Sequence, residues 1–272
     1  MSRHAMSEED RIVKSNKIKS VARLYIARDD YAKVRMIDIA KEVGISNGNL
    51  FQYFPTKESL FLALLDDAYI ARLDQLEKLV KTTVIKSHQD FCMLVEKDMF
   101  QLLQPDSLLL KLLSMRPMLL EREGCSPWYV PLREAEEQKE DTIIDEMLAS
   151  DLNGLDKQAV KDIFSFQRNL AVSYHALVKV EEALHRSLSE EDMNEKRIEI
   201  RQQILNQLRY YLAGFSQAIA SGKSGTVSSS ESEENIADVL KEKKGKGKKD
   251  KKSKEAKDKE EKKKGKKGKK KK

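Results

Sequence analysis

Apolar residues recur along this chain at helical spacings of three and four, and no stretch shows period-two alternation bounded by turns. The pattern predicts an all-α protein. Val13 to Ile26 carries apolar Val13, Ile18, Val21, Ala22 and Tyr25, and Asp29-Asp30 breaks it. Met36 to Val43 reads as a short second helix, 44–46 as a turn, and Asn47 to Tyr53 as a third helix stopped by Pro55. Thr56 reads as the N-cap of a fourth helix starting at Lys57, since its hydroxyl can accept a free N–H of the first turn. Leu60, Leu64, Ala68 and Ala71 share a face of that helix. Phe91, Leu94, Val95, Met99 and Leu102 form a further stripe, and Leu108 to Met115 a shorter one. The span 116–131 holds three prolines, Gly124 and the only tryptophan, and reads as irregular. Leu132 to Ala149 resumes the helix, and Asn153-Gly154 makes a turn.

Two long helices come next. Lys157 to Leu188 carries Ile163, Phe166, Leu170, Tyr174 and Leu177 on one face, with Phe164, Ala171 and Val178 beside it. Ser189 can cap the next helix, with Asp192 in its first turn. Glu190 to Ala220 carries Ile204, Leu208, Tyr211, Phe215 and Ile219, with Leu205 and Leu212 alongside, and Gly222 ends it. Both apolar faces are wider than one neighbour needs. Two adjacent helices of this kind predict a partner subunit, two helices from each chain making a four-helix bundle.

Charge then changes the picture. Residues 241–272 hold 20 Lys against 6 acids, and residues 1–60 hold 11 basic and 8 acidic side chains. The overall net charge of +6 therefore hides an acidic body between a mildly basic head and a very basic tail. Like charge at both ends suggests a polyanionic partner. The Ser/Glu-rich stretch 223–240 and the Lys-rich stretch 241–272 are too poor in apolar residues to offset the entropy of ordering, and are expected to be disordered. The chain thus divides into a head over 8–66, a body over 67–222 and a tail over 223–272. No secretory signal and no apolar run of membrane-spanning length is evident, and Cys92 and Cys125 lie in no metal or redox spacing. A soluble cytoplasmic protein, nucleoid-associated if its partner is DNA, is expected.

The chemistry concentrates in 34–53. Two short helices there must cross steeply over a tight turn. Ala40 is small enough for close approach, and Gly44 permits the positive φ the turn wants. Ile39, Val43, Ile45 and Leu50 face inward, and Ser46 caps the second helix. That helix then presents Asn47, Asn49, Gln52 and Tyr53. Asn and Gln can pair bidentately with adenine in the major groove, and a helix N-terminus suits phosphate.

From about Arg11 to Asp66 the chain resembles the N-terminal domain of the TetR family of transcriptional repressors. The stretches that carry the resemblance are Ile37-Asp-Ile-Ala-Lys-Glu-Val-Gly-Ile-Ser46, Gly48-Asn-Leu-Phe-Gln-Tyr-Phe54 and Lys57-Glu-Ser-Leu60. The helical body beyond them is similar to that family's effector-binding and dimerisation domain in architecture alone. The resemblance implies that Ser46, Asn47, Asn49, Gln52 and Tyr53 sit on the recognition helix, and that Tyr53 and Lys57 contact phosphates. Arg35 stands where the family often has Thr or Ser; it suits a phosphate but leaves helix capping there open. Phe51 replaces a frequent Tyr, and Asp29-Asp30 replaces a Gly-aromatic pair. The resemblance further implies a pocket for a small, often hydrophobic effector, for which Phe100, Met115, Met118, Trp128 and Phe166 are candidates. Apolar residues at helical spacing are more often plain core than ligand contacts, and each of these taken singly reads as core. The acidic body mildly favours a neutral or cationic ligand.

Other constellations fail. Ser221-Gly-Lys-Ser224 lacks the first glycine of a phosphate-binding loop and comes after a helix. His4, His88, His175 and His185 share no metal-ligand spacing, and no nucleophile motif occurs. Neither an enzyme nor a cofactor nor a metal is expected. The expected function is a homodimeric, ligand-released repressor on an inverted-repeat operator. The alternative is a nucleic-acid scaffold driven by the Lys tail, whose counterion release would add salt-sensitive affinity without base reading.

Overall fold

The computed structural model describes residues 7–104, 107–123, 129–149 and 155–221, and these contain nine helices and no strand. They are α1 (Glu8–Arg28), α2 (Met36–Val43), α3 (Asn47–Tyr53), α4 (Lys57–Thr82), α5 (His88–Leu102), α6 (Leu108–Glu123), α7 (Tyr129–Met147), α8 (Lys157–Leu184) and α9 (Glu190–Ala220). The all-α expectation holds. The expected turn at Asn153-Gly154, the helix stop at Gly222 and the tail lie outside the described residues.

α1 begins earlier than its apolar pattern. Ser7 accepts the Asp10 N–H at 3.1 Å, and Glu8, Glu9 and Asp10 fill the positive end of the helix dipole. Its buried stripe is Ile18, Ala22 and Ile26. At α4, Thr56 and Ser59 form a reciprocal cap, with Ser59 N to Thr56 Oγ1 at 2.8 Å and Thr56 N to Ser59 Oγ at 3.1 Å. Ser189 Oγ likewise accepts from Asp192 N at 3.2 Å and donates to its carboxylate at 2.7 Å.

α4 is the axis of the fold. It packs against α1, α5, α6 and α7, and its residues 59–62 are buried all round. The expected stripe therefore holds only at its start: Leu60 and Leu64 are buried, whereas Ala71 is exposed and Leu65, Tyr69, Leu73 and Leu76 continue the core.

The irregular stretch expected at 116–131 is corrected on both sides. α6 continues through Pro117 to Glu123, and α7 starts at Tyr129. Pro117 is exposed and forfeits only its own bond to the Leu113 carbonyl, while Pro131 falls in the first turn of α7, where N–H groups lack helical partners anyway. α8 ends at Leu184, four residues short of the expected end, because His185 leaves helical geometry at φ −114°, ψ 42°.

α8 and α9 pack on each other, and α5 and α6 cover their inner side. The inward stripe of α8 is Ile163, Leu170, Tyr174 and Val178; that of α9 is Ile204, Leu208 and Leu212. Their outward sides leave apolar groups in solvent: Leu177, Val180 and Leu184 on α8, and Ile198 and Tyr210 on α9.

Candidate functional site

The head is assembled by α1 to α3. Gly44 ends α2 in the left-handed region at φ 81°, and its N–H together with that of Ile45 closes on the Ala40 carbonyl at 3.0 Å. Lys17 of α1 donates to the Val43 carbonyl at 3.0 Å, placing a cation on the negative end of α2. Ile39, Ala40, Val43 and Leu50 are buried between the helices, and Ile45 packs on them half-exposed. With the turn locked this way, Ser46 accepts the Asn49 N–H at 3.1 Å and starts α3.

The consequence is a short helix with one buried residue, Leu50. Asn47, Asn49, Phe51 and Gln52 are exposed, so their side chains share a free surface, and Ser46 lies beside them. Tyr53 is half-buried and packs on the core. Arg35 occupies the N-cap position of α2 without a side-chain cap bond. It is exposed and forms a bidentate pair with Asp38, at 2.7 and 3.0 Å. Lys57 differs: its ammonium donates inward to the Tyr31 carbonyl and stands 3.8 Å from the Tyr31 ring centroid. Burial lowers it below the usual lysine value, against Glu58. Tyr31 itself donates to Glu58 Oε1 at 2.5 Å, and Arg122 of α6 pairs with Glu58 at 3.6 Å. The loop that replaces a Gly-aromatic pair is thereby held by a charged cluster.

Further contacts fix the head to the body. Lys19 of α1 meets Asp67 of α4 at 2.8 Å, and Arg23 binds the same carboxylate. Lys111 of α6 donates to the Ile26 and Asp29 carbonyls at the end of α1, at 2.5 and 3.0 Å.

In the body, a cavity of about 40 Å³ is lined by residues of α4, α5, α6, α7 and α8, among them Tyr69, Arg72, Leu113, Phe164 and Gln167. It shares Arg72, Leu102 and Leu109 with an outer groove of about 480 Å³. Arg72 pairs with Asp98, whose side chain is 0 % exposed, and Gln167 Nε2 donates to the same carboxylate at 2.9 Å and to the Val95 carbonyl at 3.1 Å. Arg72 Nη1 and Asp98 Oδ1 are buried without a hydrogen-bond partner.

Of the effector candidates read from the sequence, Phe100, Met115, Met118 and Phe166 are not among the residues lining this cavity. Phe100 is 52 % exposed beneath the Arg201 guanidinium, 5.5 Å from its ring centroid. Met115 and Met118 pack against the core, and Phe166 stacks on Tyr211 with centroids 4.0 Å apart. Trp128 lies outside the described residues. The buried polar cluster of Arg72, Asp98 and Gln167 was not foreseen from the sequence. The available signal was Asp98 interrupting the apolar stripe between Val95 and Met99.

Residues 18–64 match the family model of bacterial regulatory proteins, tetR family. No curated protein matches the chain. Among solved structures, it is similar to the fatty acid degradation regulator FadR from Bacillus halodurans, at 19 % identity over 72 % of this chain and 96 % of that one, with a TM-score of 0.43. It is also similar to the transcriptional regulator FadR from Bacillus subtilis in complex with stearoyl-CoA, at 16 % identity over 71 % and 96 %, with a TM-score of 0.42. A tetR-family transcriptional regulator from Streptomyces coelicolor aligns at 18 % identity over 79 % and 87 %, with a TM-score of 0.41. The family match, together with the locked turn and the free face of α3, carries the assignment. Over residues 18–64, the span that builds α2 and α3, the chain matches the tetR family of bacterial regulatory proteins.

Proposed function

We propose that the chain is a homodimeric repressor that reads an inverted-repeat operator with α3 and leaves it when a small molecule occupies the body. The observation that carries this reading is the exposure of Asn47, Asn49 and Gln52 on one short helix behind a locked turn. These amides read base edges, each good bidentate pair being worth about 1–3 kcal/mol of discrimination. Ser46, Tyr53 and Lys57 flank them and meet the backbone, with Arg35 as a further phosphate contact. Lys57 must release the Tyr31 carbonyl to reach DNA.

The apolar row Leu177, Val180 and Leu184 supports a subunit interface through α8 and α9. Such a dimer sets two copies of α3 into successive major grooves, about 34 Å apart. Occupation of the body cavity favours a dimer with a different spacing, and the operator is lost by population shift. The Lys-rich tail adds salt-sensitive affinity without reading sequence. The setting is cytoplasmic, and no catalysis is involved.

The test is retention of DNA by the full chain and by Asn47→Ala/Gln52→Ala at moderate salt. The variant is expected to keep its helical circular dichroism and lose sequence preference. Unchanged preference in the folded variant contradicts the reading of α3.

A further inference from the structure

Two cations meet one aromatic ring where the body touches the head. The Lys57 ammonium stands 3.8 Å from the centroid of the Tyr31 ring, and the Arg122 guanidinium carbon stands 5.8 Å from the same centroid. Lys57 begins α4, whereas Arg122 lies in the last turn of α6. Both also neighbour one carboxylate. Glu58 accepts from the Tyr31 hydroxyl at 2.5 Å and pairs with Arg122 at 3.6 Å. Phe61 fixes the ring itself, edge to face at 5.0 Å.

Charge decides what each cation can do. The Glu58 side chain is 18 % exposed and already meets Arg122, so its negative charge is not free to hold Lys57 as well. What keeps Lys57 inward is then uncharged: the Tyr31 carbonyl and the face of the ring. Burial lowers the Lys57 ammonium below the usual lysine range; Glu58 opposes this, and the Arg122 charge adds to it. Arg122 therefore occupies the carboxylate and also repels the ammonium. Without Arg122, the cation left to Glu58 is Lys57.

That Lys57 meets a DNA phosphate at all rests on the function proposed for the chain. We propose that Arg122 is a positioning residue for that contact: from the body it holds Glu58, and so leaves Lys57 free to turn from Tyr31 to the DNA backbone. α6 also lines the body cavity with Leu109 and Leu113, so a ligand that shifts this helix withdraws Arg122 and returns Lys57 to Glu58. The body then controls a phosphate contact without any change in α3.

The test reads the salt dependence of DNA affinity, because its slope counts neutralised phosphates. The full chain and its variants are titrated by fluorescence anisotropy against one labelled duplex that the full chain retains from a random pool. Lys57→Met is expected to make the slope shallower by about 0.9 per protomer. Arg122→Met is expected to do the same, although Arg122 touches no DNA. Lys57→Met/Arg122→Met is expected to match Lys57→Met alone, since Arg122 then has nothing to free. Arg122→Met/Glu58→Gln is expected to recover the slope of the full chain, because the carboxylate that would capture Lys57 is gone. Arg122→Lys keeps the charge and is expected to keep the slope, which separates the effect from any loss of folding seen in the circular-dichroism melt of Arg122→Met. An unchanged slope in Arg122→Met, or an additive loss in the double variant with Lys57→Met, overturns the proposal. An unchanged slope in Lys57→Met overturns it too, by removing Lys57 from the DNA. The reading of the chain as a regulator falls on a different result, the loss of sequence preference that Asn47→Ala/Gln52→Ala tests.

Discussion

The ammonium of Lys111 stands 2.5 Å from the carbonyl oxygen of Ile26, tying the first turn of α6 to the last turn of α1. The last carbonyls of a helix have no partner within it, and a cation there also meets the negative end of the dipole. α6 thus holds the end of the helix that supports α2 and α3, and it does so from an element that also walls the body cavity. Lys111→Met keeps the aliphatic stem and removes these bonds. It is expected to cost about 1–3 kcal/mol of stability and to weaken DNA retention with every residue of α3 intact. Thermal unfolding and a DNA titration check both; an unchanged affinity would show that the tie is structural alone.

Gly44→Ala probes the turn. No atom lies within 4 Å of an added Cβ, so the whole effect is backbone conformation at φ 81°. A cost of about 1–2 kcal/mol is expected, the penalty of left-handed geometry for an L-residue. Denaturant unfolding measures it, and loss of DNA binding beyond that of an equally destabilised body variant would locate the effect at the angle between α2 and α3.

The acid limb of stability turns on His175. Burial holds its imidazole below the usual value, with Lys179 and Lys111 adding to the effect and Glu182 opposing it. The unfolded chain therefore takes up a proton before the folded one does. As pH falls through about 6.5, the unfolded state gains, and stability drops until the folded value is passed. His88, lowered by burial as well, acts in the same direction. His175→Gln is expected to flatten this limb in melting curves recorded from neutral to mildly acid pH; an unchanged slope would assign it to His88 or to other groups.

The head was far more legible in the sequence than the body. α2 and α3 have the bounds that Gly44, Ser46 and Pro55 impose, because each boundary rests on a residue whose chemistry is local. Where tertiary packing decides, the reading failed. Pro117 and Pro131 suggested a loop, yet the leucines of α6 carry the helix across one, and the first turn of α7 absorbs the other. The polar constellation of Arg72, Asp98 and Gln167 joins three helices over separations of up to 95 positions, which no local pattern reveals. Phe100, by contrast, is apolar in the sequence and 52 % exposed in the fold, where Arg201 of α9 stands over its ring.

The outward face of α8 gives a separate test. Leu184 is 70 % exposed, in line with Val180 and Leu177. Leu184→Glu is expected to leave the protomer folded, shift sedimentation toward a monomer and abolish binding to a two-half-site operator. An unaltered dimer would place the subunit contact elsewhere.

A chain ending at residue 221 separates the tail from the head. It is expected to keep its sequence preference and to show a shallower dependence of affinity on salt. Loss of nearly all binding would instead favour a scaffold driven by the 20 lysines of residues 241–272.

The most direct measurement is selection from a random DNA pool by the purified, ligand-free full chain at moderate salt, with the retained sequences read. A dimeric reader predicts recovery of an inverted repeat whose half-sites lie about one helical turn apart. Recovery of no preferred sequence would contradict the central claim that α3 reads an operator.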